Sequence, residues 1–354
     1  MKFYLIKRLF LIFPTLFFIM LLNFIIIQAA PGGPIEQIIA KINNSNTLHS
    51  EVSFNPTSTL SLNINSDNNK STIDQEIIKK IEVEYGFDKP LLSRFLLMMK
   101  KLIMFDFSSS FYQDKSVVSL VIEKLPVSIS LGFASTILVY LISIPLGIRK
   151  ALRNGSKFDF ISSVLISLGH AIPAFLLAII FIVLFAGGNF LQIFPIRGLT
   201  SDNFSDLSIF GKIIDYLHHL FLPIASMVIG GFASLTFFVK NSFIEEINKQ
   251  YVVAAYAKGL GDRQVLYGHI FRNAMMIVIA GIPAAFIGIL FTGSMLIEII
   301  FNLDGLGLLG YEAAVSRDYP VMFGTLYFFT LLGLIINIIS DITYKIVDPR
   351  INFN

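Results

Sequence analysis

Two stretches that contain glycine are the first candidates for chemistry, because glycine lets a backbone approach a phosphate group closely. Gly305-Leu-Gly-Leu-Leu-Gly310 matches the dinucleotide-binding pattern Gly-x-Gly-x-x-Gly. That pattern binds a cofactor between a strand and a helix, whereas here a long apolar run precedes it. Gly211-Lys212 is followed by Ile213, so the ATP-binding pattern Gly-x-x-x-x-Gly-Lys-Ser/Thr is missing. We therefore expect no cofactor at either stretch and interpret the first as a tight turn.

Ionisable side chains are the second candidates. His218-His219 lacks the spaced partners of a metal site, and we interpret it as an interfacial pair. His170, Glu298 and Asp341 lie in or at the ends of apolar runs, where a charge is costly and faces a cavity or a neighbouring helix. For Glu298 and Asp341 we favour structural or gating roles, with direct substrate contact as the alternative. The sequence has no Gly-x-Ser-x-Gly and no cysteine, so we expect no enzyme and no metal site.

The elements that position these residues are membrane segments. Hydrophobic residues make up 55% of the chain and charged residues 14%, which excludes the soluble globular class. A net charge of +3 is too small to indicate nucleic-acid binding. A spanning helix needs about 20 apolar residues, and six segments qualify: Leu9–Ala30, Val127–Ile148, Phe160–Ala186, Leu217–Val239, Ala274–Ile300 and Val321–Val347. The sequence therefore predicts an all-α polytopic membrane protein. The first run is longer than the apolar core of a signal peptide, which has about 7–15 residues, so we expect it to remain as a span.

Basic residues in short loops predict the orientation. Most lie at the N-terminus, after the second and fourth spans, and at the C-terminal end: Lys2, Lys7, Arg8, Arg149, Lys150, Arg153, Lys157, Lys240, Lys249, Lys258, Arg263, Arg272, Lys345 and Arg350. Both termini are therefore expected in the cytoplasm. Residues 31–126 then form an external segment, with a flexible Asn- and Ser-rich insert at 42–72 and apolar residues at helical spacing from Ile73 to Lys124.

The loop at 241–273 has organised polarity. Ser242 and Glu245 have the spacing of a capping box. Lys258-Gly259 predicts a helix end, and Asp262 is placed to cap a second short helix. Taken alone, this segment fits an ordinary interfacial hairpin as well as a surface that a soluble partner binds.

Two spans carry features of moving or contacting helices. Pro173 and Pro283 interrupt apolar runs, which bends helices. Small residues recur every fourth position in the fifth span, and such a row permits close helix approach: Ala280, Ala284, Gly288 and Thr292. This row predicts either a contact within the chain or a dimer interface that lines a path.

Motifs spread along the chain give it a resemblance to a known family, the permease subunits of ATP-binding-cassette importers for dipeptides and oligopeptides. They are Ala30-Pro-Gly-Gly-Pro34, Tyr85-Gly-Phe-Asp-Lys-Pro90, Ile144-Pro-Leu-Gly147, Ile172-Pro-Ala-Phe175, Arg317-Asp-Tyr-Pro320 and Asp348-Pro-Arg350. A finer resemblance to the Yej-type branch, which takes up peptides and the antibiotic microcin C, rests on four further motifs. They are Lys150-Ala-Leu-Arg-Asn-Gly-Ser-Lys157, Phe185-Ala-Gly-Gly188, Lys249-Gln-Tyr-Val-Val253 and Gly307-Leu-Leu-Gly-Tyr-Glu312.

The resemblance implies a role for the loop at 241–273. Its coupling motif, Glu-Ala-Ala-x-x-x-Gly, falls on Val253 to Gly259, with the acidic residue replaced by Val253 and a frequent arginine replaced by Tyr256. The positions implied to contact an ATPase are Val253, Ala254, Ala255, Tyr256, Lys258, Gly259, Leu260, Asp262, Arg263, His269, Arg272 and Asn273.

The resemblance also implies the assembly. The chain is similar to inner-membrane permeases of the type I importer fold, with an N-terminal helix at 1–30, a five-helix transmembrane domain at 127–348 and a tail at 349–354. Implied partners are a second permease, two ATPase subunits that bind ATP and Mg²⁺, and an external peptide-binding protein. The alternative is a stand-alone channel or an ion-coupled secondary carrier, against which the missing inverted repeat and acidic relay argue.

Overall fold

The computed structural model describes residues 2–29, 89–113, 115–187, 190–288 and 295–347. Within these ranges every regular element is a helix, apart from one isolated bridge between Ser109 and Ser116. The predicted all-α fold is confirmed. The expected flexible insert at 42–72, the tail at 349–354 and Thr292 of the small-residue row lie outside the described residues.

The helices follow the predicted spans but extend beyond several of them. Thirteen are described: α1 (Lys2–Ala29), α2 (Leu91–Ile103), α3 (Val117–Leu152), α4 (Lys157–Ala171), α5 (Ala174–Phe181), α6 (Ile209–Ile247), α7 (Gln250–Ala257), α8 (Asp262–Val265), α9 (Phe271–Ala280), α10 (Ile282–Gly288), α11 (Met295–Phe301), α12 (Leu306–Ser316) and α13 (Tyr319–Val347). Four of them, α1, α3, α6 and α13, are long and apolar enough to cross a membrane singly.

The third predicted span is a bent pair. Helices α4 and α5 meet at 87° across Ile172 and Pro173. Pro173 has no N–H to donate to the preceding turn, and it forces Ile172 into an extended conformation with φ −86° and ψ 120°. Ile172 therefore ends α4, as the sequence predicts for this proline.

The fifth predicted span is divided, not continuous. Helix α9 ends at Ala280, and Gly281 separates it from α10. The break falls two residues before Pro283, which lies in the first turn of α10, where its missing N–H is tolerated. Prolines do not always end helices here, since Pro126, Pro145 and Pro223 lie inside the long helices.

The described residues form two compact units. The larger comprises residues within 1–9, 121–311 and 329–354. One of its apolar clusters joins α3, α6, the α4–α5 pair and α11 around Leu131, Met227 and Phe301. A second cluster gathers residues of the 241–273 segment around Val239, Phe243 and Val265.

The smaller unit comprises residues within 10–120 and 312–328. Helix α2 buries Phe95, Met99 and Leu102, two of which belong to the predicted helical pattern. Asp318, from the Arg317-Asp-Tyr-Pro320 motif, is 4% exposed and accepts hydrogen bonds from Ser110 Oγ and from Phe111 N, the latter at 3.2 Å. This motif therefore fastens the segment between α2 and α3.

Candidate functional site

Helix α7 is a short helix with one buried side and one exposed side. Its inner side buries Val252 (2% exposed) and Ala255 (5% exposed) in the second apolar cluster. Its outer side exposes Val253 (66%) and Tyr256 (47%), together with Ala254. An apolar valine that is two-thirds exposed beside small alanines offers a surface that another protein can approach closely.

A left-handed turn ends α7. Gly259 has φ +86°, a conformation that a side chain rarely adopts, and its N–H donates to Tyr256 O at 2.8 Å. A Cβ built at Gly259 would have no atom within 4 Å. The glycine is therefore required by the backbone conformation, and the space in front of it is open. The predicted helix end at Lys258-Gly259 is confirmed.

The second short helix begins at Asp262, and this corrects the predicted cap. Gly261, not Asp262, is the N-cap residue, and its N–H donates to Gln264 Oε1 at 3.3 Å. A π-helical turn at Leu266–Ile270 then leads into α9. Val265 (0% exposed) and Ile270 (3%) anchor this half in the second apolar cluster.

The predicted capping box at Ser242 is wrong. Ser242 and Glu245 lie inside α6, which continues to Ile247, because the apolar stripe extends unbroken past this point. Ser242 Oγ instead donates to Ala274 O at 2.9 Å and ties α6 to α9. The joint between α6 and α7 is held by Tyr251 Oη, which donates to Glu246 at 2.6 Å, and by the Lys249–Glu246 ion pair at 3.1 Å. Hydrogen bonding to Glu246 raises the pKa of Lys249 and favours its charged form.

Most of the predicted loop residues are accessible. We name the exposed ones the loop surface: Val253, Ala254, Tyr256, Lys258, Gly259, Asp262, Arg263, His269 and Arg272. Leu260 and Asn273 are half-buried and Ala255 is buried, so these three shape the segment from within. Desolvation raises the pKa of the Tyr256 phenol, and the Asp262 carboxylate raises that pKa further.

A buried ionic cluster, which the sequence reasoning missed, joins three helices beside this segment. Lys150 of α3 is 0% exposed, and its Nζ lies 3.1 Å from Asp159 Oδ1 at the start of α4. Lys240 of α6 lies 2.7 Å from the same carboxylate. Ser162 and Ser163 accept two further hydrogen bonds from Lys150. The available signal was a single acidic residue in a loop otherwise rich in lysine and arginine.

The glycine-rich stretch lies against a buried carboxylate. Glu298 is 0% exposed and accepts hydrogen bonds from Ser128 Oγ at 2.8 Å and Leu308 N at 2.9 Å. A Cβ at Gly305 would lie 2.5 Å from Glu298 Cδ, and one at Gly307 would lie 2.7 Å from Met295 Cα. The glycines therefore let the N-terminus of α12 close on this carboxylate, where the helix dipole favours a negative charge.

A cleft opens beside the bend of the third span. Its volume is 750 Å³, and its lining includes Tyr140 of α3, His170 of α4, Gly230 and Ser234 of α6, and Gly288 of α10. Gly288 of the small-residue row is thus an open cleft position, whereas Ala280 of the same row is 1% exposed and receives a contact from Ser340 within the chain. Ala284, the remaining described residue of the row, lies within α10.

Comparisons with known proteins converge on one family. Residues 143–353 match the family model described as binding-protein-dependent transport system inner membrane component. The inner membrane ABC transporter permease protein YejB of Escherichia coli O157:H7 is 54% identical, over 99% of this chain and 98% of that protein. The peptidoglycan transport system permease protein YejB of Agrobacterium fabrum is 52% identical, with the same coverage.

A more distant relative and one solved structure are also similar to this chain. The oligopeptide transport system permease protein OppB of Haemophilus influenzae is 30% identical over 98% of each chain. A chain of the MetNI methionine ABC transporter, solved in an inward-facing conformation, superposes with a TM-score of 0.51 at 16% identity, covering 65% of this chain and 97% of that one. At that identity the likeness shows the fold alone.

Proposed function

This chain belongs to the family of binding-protein-dependent transport system inner membrane components, and on that premise we propose that it is one of two permease subunits of an ATP-driven peptide importer. A multi-pass permease of the inner membrane needs a source of energy and a substrate. Both are argued below from the described residues and from the relatives.

The loop surface is the observation that carries the proposal. It exposes Val253, Tyr256 and the open glycine turn to solvent. Val252, Val265 and Ile270 hold it on the second apolar cluster of the larger unit. A rigidly anchored, exposed apolar element suits a partner that transmits force. We propose that a separate ATPase subunit, which binds ATP and Mg²⁺, docks here.

The rest of the assembly follows from this role. A second permease completes the path, a second ATPase subunit serves it, and an external binding protein delivers the substrate. With the loop surface in the cytoplasm, both termini are cytoplasmic too, the segment at 31–126 is external and the domain at 127–348 is transmembrane.

Peptides are the proposed substrate class. The oligopeptide permease of Haemophilus influenzae and the peptide-importer motifs along the chain support this choice. Microcin C-like peptide conjugates extend the same class. The Agrobacterium relative is named for peptidoglycan transport, so peptide-bearing cell-wall fragments are the second candidate. Uptake of a free tripeptide, compared with uptake of a cell-wall muropeptide by the same importer, separates the two.

Replacing Gly259 tests the docking role. Gly259→Arg places a long side chain in the open space before the turn, and we expect loss of ATP-dependent peptide uptake in proteoliposomes, with normal membrane insertion. Gly259→Asn is the matched control, because asparagine tolerates the left-handed conformation and adds little bulk; it should retain most of the uptake.

Two results would count against the proposal. Normal uptake by Gly259→Arg would remove the docking role. Uptake that persists without the ATPase subunits, driven by a proton gradient, would instead favour the secondary carrier.

A further inference from the structure

The cleft at the bend of the third span has the dimensions of a ligand site. Its 750 Å³ falls within the about 300–1,000 Å³ typical of small-molecule pockets. It lies between α3, the α4–α5 bend, α6 and α10, all in the larger unit. Apolar side chains form most of its wall, and a few polar groups converge on it.

The bend supplies hydrogen-bond acceptors. Pro173 has no N–H, so the carbonyl of Gly169 loses the intrahelical bond that a continuous helix would give it. The other final carbonyls of α4 lack intrahelical donors because the helix ends at Ala171, and the C-terminus of a helix carries a partial negative charge. Broken helices of this kind form cation and substrate sites in other transporter folds.

His170 adds a directed acceptor. Its Nδ1 lies 2.8 Å from Gly230 O. A carbonyl can only accept, so Nδ1 carries the hydrogen, and Nε2 of the neutral ring is left as an acceptor. The contact also holds the ring in place, while the residue remains exposed.

Helix α6 forms the opposite wall of the cleft, and two of its lining residues are glycines. Gly230 approaches α5 so closely that its Cβ would lie 3.2 Å from Ala174 Cβ, and Gly231 lies opposite Val139. One turn further, Ser234 exposes a hydroxyl that can donate or accept. Met227, Leu235 and Phe238 of the same helix add apolar side chains to this wall, and Ser234 is its one polar side chain.

We propose that this cleft is a contact site for the amino-terminal end of a peptide in transit, with the ammonium and first amide N–H donating to His170 Nε2 and to the carbonyls at the end of α4. The inference rests on the proposed function. The acceptors grouped at the bend, His170 Nε2 and the last carbonyls of α4, match a donor-rich, positively charged peptide end.

The absence of cysteine from the chain makes a direct test available. Ser234→Cys places a single thiol in the cleft, and Ser205→Cys places one at an exposed control position outside it. The complete importer, in nanodiscs without the binding protein, is treated with a tripeptide that carries a bromoacetyl group on a lysine side chain. Attack by the thiolate expels bromide and leaves a thioether, which mass spectrometry detects. We expect the thiol at position 234 to be labelled, and we expect unmodified tripeptide to reduce that labelling by competition. Unmodified tripeptide should not reduce any labelling at position 205.

Two comparisons test the recognition itself. A tripeptide with an acetylated amino terminus should label position 234 about tenfold less, the scale of losing one hydrogen bond to a charged group. His170→Asn keeps a donor for Gly230 O but removes the acceptor at Nε2, and it should lower labelling by the free-amino peptide to that of the acetylated peptide. His218→Gln, outside the cleft, should change nothing.

Each remaining outcome decides a specific point. Equal labelling by free and acetylated peptides, or an unchanged His170→Asn variant, would overturn the proposal. Peptide transport by the wild-type importer with no competed labelling at position 234 would overturn the site and leave the proposed function standing. Failure of the wild-type importer to move any peptide, with its binding protein and ATP present, would instead remove the proposed function.

Discussion

At the scale of single residues, the cluster of Lys150, Asp159 and Lys240 shows how a membrane protein holds charge inside. Two lysines share one carboxylate, and Asp159 also accepts from Gly155 N at 3.1 Å. A buried charge that loses its partner is strongly unfavourable, whereas a buried pair and an apolar replacement often differ little. The carboxylate at the centre of the cluster is therefore its critical member.

This asymmetry gives a stability prediction. Asp159→Asn leaves the buried Lys150 ammonium and the partly buried Lys240 ammonium without a counter-charge and should cost about 3–5 kcal/mol. Lys150→Met keeps the Asp159–Lys240 pair and similar side-chain volume, so its loss should be much smaller. Lys157→Met, at an exposed position, is the control. Heating each variant in detergent, followed by size-exclusion chromatography, measures the order of their thermal stabilities. A larger loss of stability for Lys150→Met than for Asp159→Asn would contradict the prediction.

Single residues were only partly predictable. His170 and Glu298 were found from sequence because a polar residue in an apolar run is conspicuous. Asp159 was not, because it stands in a charged loop where an acid is unremarkable until the fold buries it to 6% exposure. Burial depends on contacts distant in the sequence, such as that with Lys240, and hydropathy does not report them.

At the scale of elements, the N-terminus of α12 closes on a side chain through its glycines. Leu306 N donates to Ser128 Oγ at 2.8 Å, and Ser128 in turn donates to Glu298. The tight turn predicted for this stretch is wrong, because Leu306 to Gly310 form the start of α12, where Gly305 and Gly307 pack against the internal carboxylate of Glu298. Three elements, α3, α11 and α12, meet at this one group.

The glycines of this stretch should differ in their tolerance of alanine. Gly305→Ala would drive a Cβ into Glu298 and should cost about 1–3 kcal/mol, the usual range for overpacking. Gly310→Ala is the matched control, since its Cβ would come no closer than 4.0 Å to Phe329. Within a helix that change should be neutral or stabilising by up to about 1 kcal/mol. Thermal stability of the two variants, purified side by side, checks this; equal stability would show that the stretch relaxes freely.

Elements were predictable where length and hydropathy suffice. Helices α1, α3, α6 and α13 coincide with predicted spans, and the bend at Pro173 follows from that residue. The continuation of α6 through Ser242 was not predicted, because local capping signals were outweighed by packing of Phe243 and Val239 in the core. The same limit explains why Pro126, Pro145 and Pro223 end no helix.

At the scale of the whole molecule, orientation remains a prediction from charge. Because the sequence has no cysteine, single cysteines report it cleanly. Lys157→Cys and Lys258→Cys should react with a membrane-impermeant maleimide only in inverted vesicles. Ser205→Cys should react only in right-side-out vesicles. Reaction of Lys258→Cys from outside the cell would reverse the orientation and place the loop surface beyond the reach of ATP.

Helix α6 has a mechanical consequence. With 39 residues it is about 58 Å long, nearly twice the about 30 Å hydrocarbon thickness of a bilayer. Even a steep tilt leaves part of it in water, and α7 is attached at its far end. If an ATPase docks on α7 as proposed, a push there is transmitted along α6, so a small displacement at the water surface moves Gly230 and Ser234 near the middle of that helix.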